Sequence, residues 1–125
     1  MARILVIDDE PGILNVLKVM LGVDGHTVIT LQDGSLVEGA LHEQDFDLLI
    51  SDIHMTPVDG MSVLRYVRDQ RPDLPVIMLT AYGQVDTAIE SMQLGAFDYV
   101  KKPFKVDQLL AVVKKALQSA GTDPG

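Results

Sequence analysis

The chain has 125 residues, 47% hydrophobic and 22% charged, an ordinary balance for one globular domain with a single sizeable core. Its formal charge is -8 and it has no cysteine, which excludes a disulfide framework and a thiolate metal site. The acidity also makes it a poor non-specific binder of nucleic acid, whose phosphates attract Lys and Arg. No apolar run approaches the ~18 residues that a membrane span needs. Met1-Ala2-Arg3 leads straight into a strand, so we expect no signal peptide and a reducing, cytoplasmic setting.

Residues 4–7 (ILVI) form a short apolar run, as expected of a strand covered on both faces. Pro11 suits the first turn of a helix, and Ile13, Leu14, Leu17 and Leu21 follow at helical spacing up to Gly22. Residues 27–31 are rich in β-branched side chains and predict a second strand. Leu36, Val37, Ala40 and Leu41 make a short helical stripe, and residues 48–50 a third strand. Met61, Leu64, Val67 and Arg68 lie on a helix that ends before Pro72, and residues 76–79 form the fourth strand. Val85, Ala88, Ile89 and Met92 make another stripe, closed by Gly95; we expect it to be mainly core, with part left as a docking surface. Residues 97–100 predict the fifth strand, and Leu109, Leu110, Val112, Val113, Ala116 and Leu117 the last helix. Five such βα units imply an α/β domain, a parallel sheet with helices on both faces joined by right-handed crossovers. We take residues 1–120 as the domain and 121–125 (GTDPG) as a tail or the start of a linker.

In an open parallel sheet, ligands bind beyond the carboxyl ends of the strands. Strand one ends in Asp8, Asp9 and Glu10; strand three in Ser51 and Asp52; strand four in Thr80, Ala81 and Tyr82; strand five in Lys101, Lys102, Pro103 and Phe104. Strand two ends in Gln32 and Asp33, farther away if that strand is at the edge. Each acid alone is an ordinary turn or cap residue, Thr80 an ordinary strand residue and Lys102 an ordinary surface lysine. Apolar periodicity, which ignores their charges, nevertheless places them together. Carboxylates within ~4 Å repel by about 4 kcal/mol per pair at an effective dielectric near ~20, so a cation or a shared proton must relieve them. Few carboxylates with room for water suit Mg²⁺, and no His/Cys cluster suits zinc. A carboxylate beside Mg²⁺ can act as a nucleophile and form an aspartyl-phosphate. Asp52, alone on the central strand, is then the nucleophile, Asp8 and Asp9 hold the metal, and the lysine and threonine bind phosphoryl oxygens.

The stretches ILVIDDEP, LLISDIHM, VDGMSVL, VIMLTAYG and GAFDYVKKPF, in this order, resemble the receiver domain of two-component response regulators over residues 3–119. Asp52 to Thr80 is 28 residues and Thr80 to Lys102 is 22, which fits that family. The resemblance implies the flavodoxin-like strand order 2-1-3-4-5, for which members of this family are standard examples. It implies that Asp52 accepts a phosphoryl group from a phosphohistidine on a sensor histidine kinase. Asp8 and Asp9, with Asp52 and the backbone carbonyl of His54, would hold Mg²⁺. Thr80 would bind the phosphoryl group and Tyr99 would be the switch aromatic. Lys102 would pair with phosphate and be joined to Pro103 by a cis bond; Lys101, one step along a strand, faces the other way. The stretch 80–104 looks most like receivers of nitrogen-regulator-type (sigma-54) transcriptional activators, in which an ATPase domain and a DNA-binding domain follow. The helix of residues 85–94, the fifth strand and the last helix are the face expected to meet an output domain, a partner protein or a second copy.

Family members often carry proline four residues after the acceptor; here Thr56 stands there and Pro57 follows. His54 and Tyr82 flank the acceptor and the threonine, where we expect them to crowd an attacking water and slow dephosphorylation. Three rivals remain. A Mg²⁺-dependent phosphohydrolase commonly has a second acid two residues past its nucleophile, where this chain has His54. A flavin or nucleotide binder wants a Gly/Ser/Thr-rich loop after strand one, where VIDDEP is acidic. A receiver can also serve purely as a phosphorylation-independent docking module.

Overall fold

Residues 4–7 are wholly buried, and burying four such side chains contributes roughly 1.5–3 kcal/mol each. They form the body of β1 (Arg3–Ile7), which is flanked in the sheet by β2 (Thr27–Leu31) and β3 (Leu48–Asp52). The computed structural model describes residues 2–81 and 85–119. β4 (Val76–Thr80) and β5 (Asp98–Lys101) complete a five-stranded parallel sheet in the order β2-β1-β3-β4-β5. The helices are α1 (Pro11–Val23), α2 (Val37–Glu43) after a 3-10 turn at Gly34–Leu36, α3 (Gly60–Gln70), α4 (Val85–Gln93) and α5 (Val106–Ser119). The fold and strand order are those expected. None of these helices is long and apolar enough to cross a membrane.

Alternation along the strands divides the core in two. Ile4, Val6, Leu48, Ile50, Ile77, Leu79 and Val100 pack with α1 and α5. Leu5, Ile7, Leu49, Val76 and Met78 pack with α2, α3 and the turn that follows α4. Three strands run farther than their apolar cores suggested. β3 continues through Ser51 and Asp52, β4 through Thr80, and β5 spans Asp98–Lys101 rather than 97–100. The ladder pairs backbone groups whatever the side chain, so polar residues remain in register: Asp52 pairs with Leu79 and Thr80 with Lys101.

The stripe on α4 is a correction. Of its four residues only Ala88 is buried; Val85, Ile89 and Met92 are exposed. The buried face uses Ala88 and Ser91, small residues that let the helix lie close to the sheet and turn the larger ones outward. The helix ends in a Schellman motif: Gly95, at a φ of 102°, donates to Met92 and Ala96 donates to Ser91.

Arg68 joins this turn to α3. Its guanidinium donates to the carbonyls of Arg71 and Leu74 and lies 3.5 Å from that of Gly95. Burial lowers its pKa, with Asp73 opposing. Arg68→Ala removes hydrogen bonds from a charged donor, so urea denaturation should show a loss of about 2 kcal/mol.

Candidate functional site

The pleat explains which side chains meet. Asp8, Asp52 and Lys102 continue the alternate positions of Val6, Ile50 and Val100, all on the α1/α5 side. Asp8 follows β1, has no exposed surface, and donates its backbone N–H to Leu31. One of its carboxylate oxygens accepts the N–H of Glu10 at 2.9 Å, and the other accepts from Lys102 Nζ at 2.8 Å. The same ammonium lies 3.3 Å from the Asp52 carboxylate and 3.7 Å from that of Glu10. Lys102 is held there by its backbone, whose N–H donates to the Thr80 carbonyl at 2.7 Å. Lys101, on the opposite pleat, is exposed. The Lys102–Pro103 bond is cis, as is Thr56–Pro57.

Asp52 ends β3 and is 5% exposed. Burial, and next the charge of Asp8, push its carboxyl up to about 6; Lys102 and the backbone N–H of His54 pull the other way. Burial alone would lower the Lys102 ammonium. The hydrogen bond that it donates to Asp8 and the charges of Asp52 and Asp8 outweigh it, so its pKa is raised. Both groups therefore carry charge at neutral pH.

Asp9 is half-buried and Glu10 exposed, yet each brings a carboxylate oxygen into one group with Asp8 and Asp52, all within 4.8 Å of one another. Four carboxylates, three of them within 3.7 Å of the single ammonium of Lys102, make the cluster rich in acids. A hard-oxygen set of this kind, with no imidazole or thiolate, fits Mg²⁺. Glu10 is a member that was not singled out as a ligand, although the run of three acids carried the signal.

Thr80 is buried at the end of β4, on the pleat of Val76 and Met78, and its hydroxyl lies 3.4 Å from the Ala81 carbonyl oxygen. Tyr99 is half-buried against the same α2/α3 side of the core. Thr80 and Tyr99 thus continue the alternate positions that face α3, and Thr80 ends β4 at the same carboxyl edge of the sheet as Asp52. His54 is exposed, and it meets Asp52 through its backbone N–H. Tyr82 and the tail from 121 lie outside the described residues. A groove of about 510 Å³, lined by Asp24, His26, Leu110 and Lys114, shares no residue with this cluster.

Residues 4–114 match the family described as the response regulator receiver domain. The chain is 40% identical over 112 residues to the DNA-binding transcriptional regulator NtrC of Salmonella typhimurium, covering 90% of this chain and 24% of that protein. It is 39% identical over 116 residues to the C4-dicarboxylate transport transcriptional regulatory protein DctD of Pseudomonas aeruginosa, covering 93% and 25%. It thus spans about a quarter of the length of these relatives. Among solved structures, NtrX from Brucella abortus superimposes with a TM-score of 0.93 at 34% identity, covering 96% of this chain and 28% of that one. A receiver domain protein from Clostridium thermocellum gives 0.90 at 35% identity, covering 97% and 98%. A buried acid–lysine cluster at the strand ends of a 2-1-3-4-5 sheet and a match along nearly the whole chain lead to one conclusion: this chain belongs to the response regulator receiver domain family.

Proposed function

We propose that this receiver is a phosphoacceptor and that Asp52 is the residue modified. The observation that carries the reading is the single ammonium of Lys102 shared by the buried carboxylates of Asp8 and Asp52 at the carboxyl edge of the sheet. With its pKa near 6, Asp52 is mostly ionised at pH 7 and so is available as a nucleophile. A carboxylate oxygen of Asp52 attacks the phosphorus of a phosphohistidine on a sensor histidine kinase. An O–P bond forms, the N–P bond breaks, and its electron pair stays on the imidazole nitrogen, which takes up a proton. Lys102 moves its charge from the carboxylates to the phosphoryl oxygens, and the Thr80 hydroxyl donates to one of them.

Asp8, Asp9 and Asp52, with the backbone carbonyl of His54, would hold Mg²⁺. When bound, it supplies positive charge against the phosphoryl oxygens. The domain is then a signalling element rather than a turnover enzyme, acting in the cytoplasm, with slow loss of its own phosphoryl group. Thr80 and Tyr99 carry the change to α4. The exposed Val85, Ile89, Met92 and Val106 support an output face built on α4, β5 and α5 for a downstream ATPase/DNA-binding region or a second phosphorylated copy. The names of the relatives support control of transcription as the output. The net charge of -8 argues that any DNA contact is made outside this domain.

Incubation with acetyl phosphate, with and without Mg²⁺, followed by intact mass, tests this. We expect a Mg²⁺-dependent gain of one phosphoryl group that is absent in Asp52→Ala. No gain by a folded protein, either from acetyl phosphate or from a panel of phosphorylated histidine kinases, would replace this reading with that of a docking module.

A further inference from the structure

Little apolar burial holds α4. Only Ala88 and Ser91 are buried along it, and Val85 and Ile89 are half exposed. Two arginines on α3, Arg65 and Arg68, lie three residues apart and so on one face of that helix. Arg68 sits under the turn that ends α4, bound to the carbonyls of Arg71 and Leu74 and 3.5 Å from that of Gly95. The approach needs glycine: a Cβ on Gly95 would lie 2.8 Å from Arg68 Cδ. Beside it, Leu94 and Ala96 pack into the core shared with α3. The carboxyl end of α4 is therefore anchored. Farther along α4, Arg65 Nη2 meets Glu90 Oε2 at 3.5 Å, with both side chains about half exposed.

We propose that the turn at Gly95 is a pivot for α4 and that the Arg65–Glu90 pair is the latch that holds the helix in its resting position. The proposal rests on the phosphoacceptor reading for the signal, but not for the latch itself. An exposed ion pair is weak, which suits a latch that sets a population rather than locking it. Opening the latch shifts the resting equilibrium toward the position that phosphorylation favours, and a receiver already in that position takes phosphoryl groups faster.

Arg65→Gln and Glu90→Gln keep the helix-forming character of each position and remove one charge. Each is expected to lower hydrogen-exchange protection of the α4 amides about two- to five-fold in the unphosphorylated chain, with β1 and β3 amides unchanged. Each should raise the rate of phosphorylation by acetyl phosphate by a similar factor, which mere loss of stability would not do. The exchanged pair Arg65→Glu with Glu90→Arg should return both readouts toward those of the parent. Unaltered exchange in the single variants, or an exchanged pair whose α4 amides are no better protected than those of the singles, would overturn the latch. Faster exchange without faster phosphorylation would overturn its link to the switch. If the parent takes no phosphoryl group at all, the phosphoacceptor reading fails, while the exchange cycle between positions 65 and 90 still decides the latch.

Discussion

Asp52→Asn is expected to make the domain more stable at pH 7 while removing its capacity for phosphorylation. Asp52 is an acid whose folded pKa, about 6, is raised above its ordinary value of 3.8. The folded state therefore binds the proton more tightly than the unfolded state. Below the ordinary value both states are protonated, and the contribution of Asp52 to stability is fully present. It is lost as pH rises from about 4 to about 6, and above that the folded protein carries a buried charge that costs roughly 3 kcal/mol. The Asp52 side chain is only 7% exposed, so solvent screens little of this. Asparagine removes the charge but also one partner of Lys102, which keeps Asp8 at 2.8 Å. The net gain should be about 1–3 kcal/mol at pH 7, shrinking toward zero near pH 4. Urea denaturation of parent and variant across this range isolates the effect, because every other titrating group is common to both. Adding Mg²⁺ should stabilise the parent and narrow the gap, since a ligand that binds only the folded state adds to its stability. A variant no more stable than the parent at pH 7 would show that Lys102 already compensates Asp52 in full. The same variant should gain no mass from acetyl phosphate, in which case the proposed phosphoacceptor is a group that weakens the fold.

Gly60→Ala is expected to damage both fold and site. Gly60 opens α3, directly after Asp59, whose carboxylate caps the helix by accepting from Ser62 N–H at 2.9 Å. Its own N–H donates to the Ile53 carbonyl at 2.7 Å, which draws the helix start against the end of β3. A Cβ there would collide with the Asp52 carbonyl oxygen and lie 2.7 Å from Ile53 Cα. Both are backbone atoms, and Ile53 is itself buried, so neither side can yield cheaply. Overpacking of this kind costs about 1–3 kcal/mol, and loss of the hydrogen bond about 1 more. Urea denaturation should show a loss of about 2–4 kcal/mol. Because the clash is with Asp52 itself, the surviving folded protein should also be phosphorylated several-fold more slowly. Wild-type stability in this variant would mean that the loop of residues 53–59 can swing away from α3. Glycine is needed here for closeness of approach, whereas at Gly95 it also supplies a positive φ.

The sequence alone determines the layered α/β fold and the rim on which the site lies. Runs of consecutive apolar residues mark strands buried on both faces, stripes at helical spacing mark the helices between them, and a parallel sheet gathers its strand ends on one edge. Asp8, Asp9, Asp52, Thr80 and Lys102 could therefore be placed on one rim without reference to their charges. The resemblance to receiver domains picked out Lys102, and alternation along a strand then turns Lys101 to the other face. Those are local properties of the chain. The contacts that decide the electrostatics are not local: 94 residues separate Asp8 from the lysine that neutralises it. Only the folded structure shows that Lys102 is shared by Asp8, Asp52 and Glu10. The α4 stripe was misjudged for a related reason. Its periodicity says that the helix has an apolar face, but burial depends on how closely the helix approaches the sheet. Ala88 and Ser91, being small, allow that approach and leave Val85, Ile89 and Met92 outside. The need for glycine at position 60 is likewise invisible until the start of α3 is seen pressed against the backbone of Asp52.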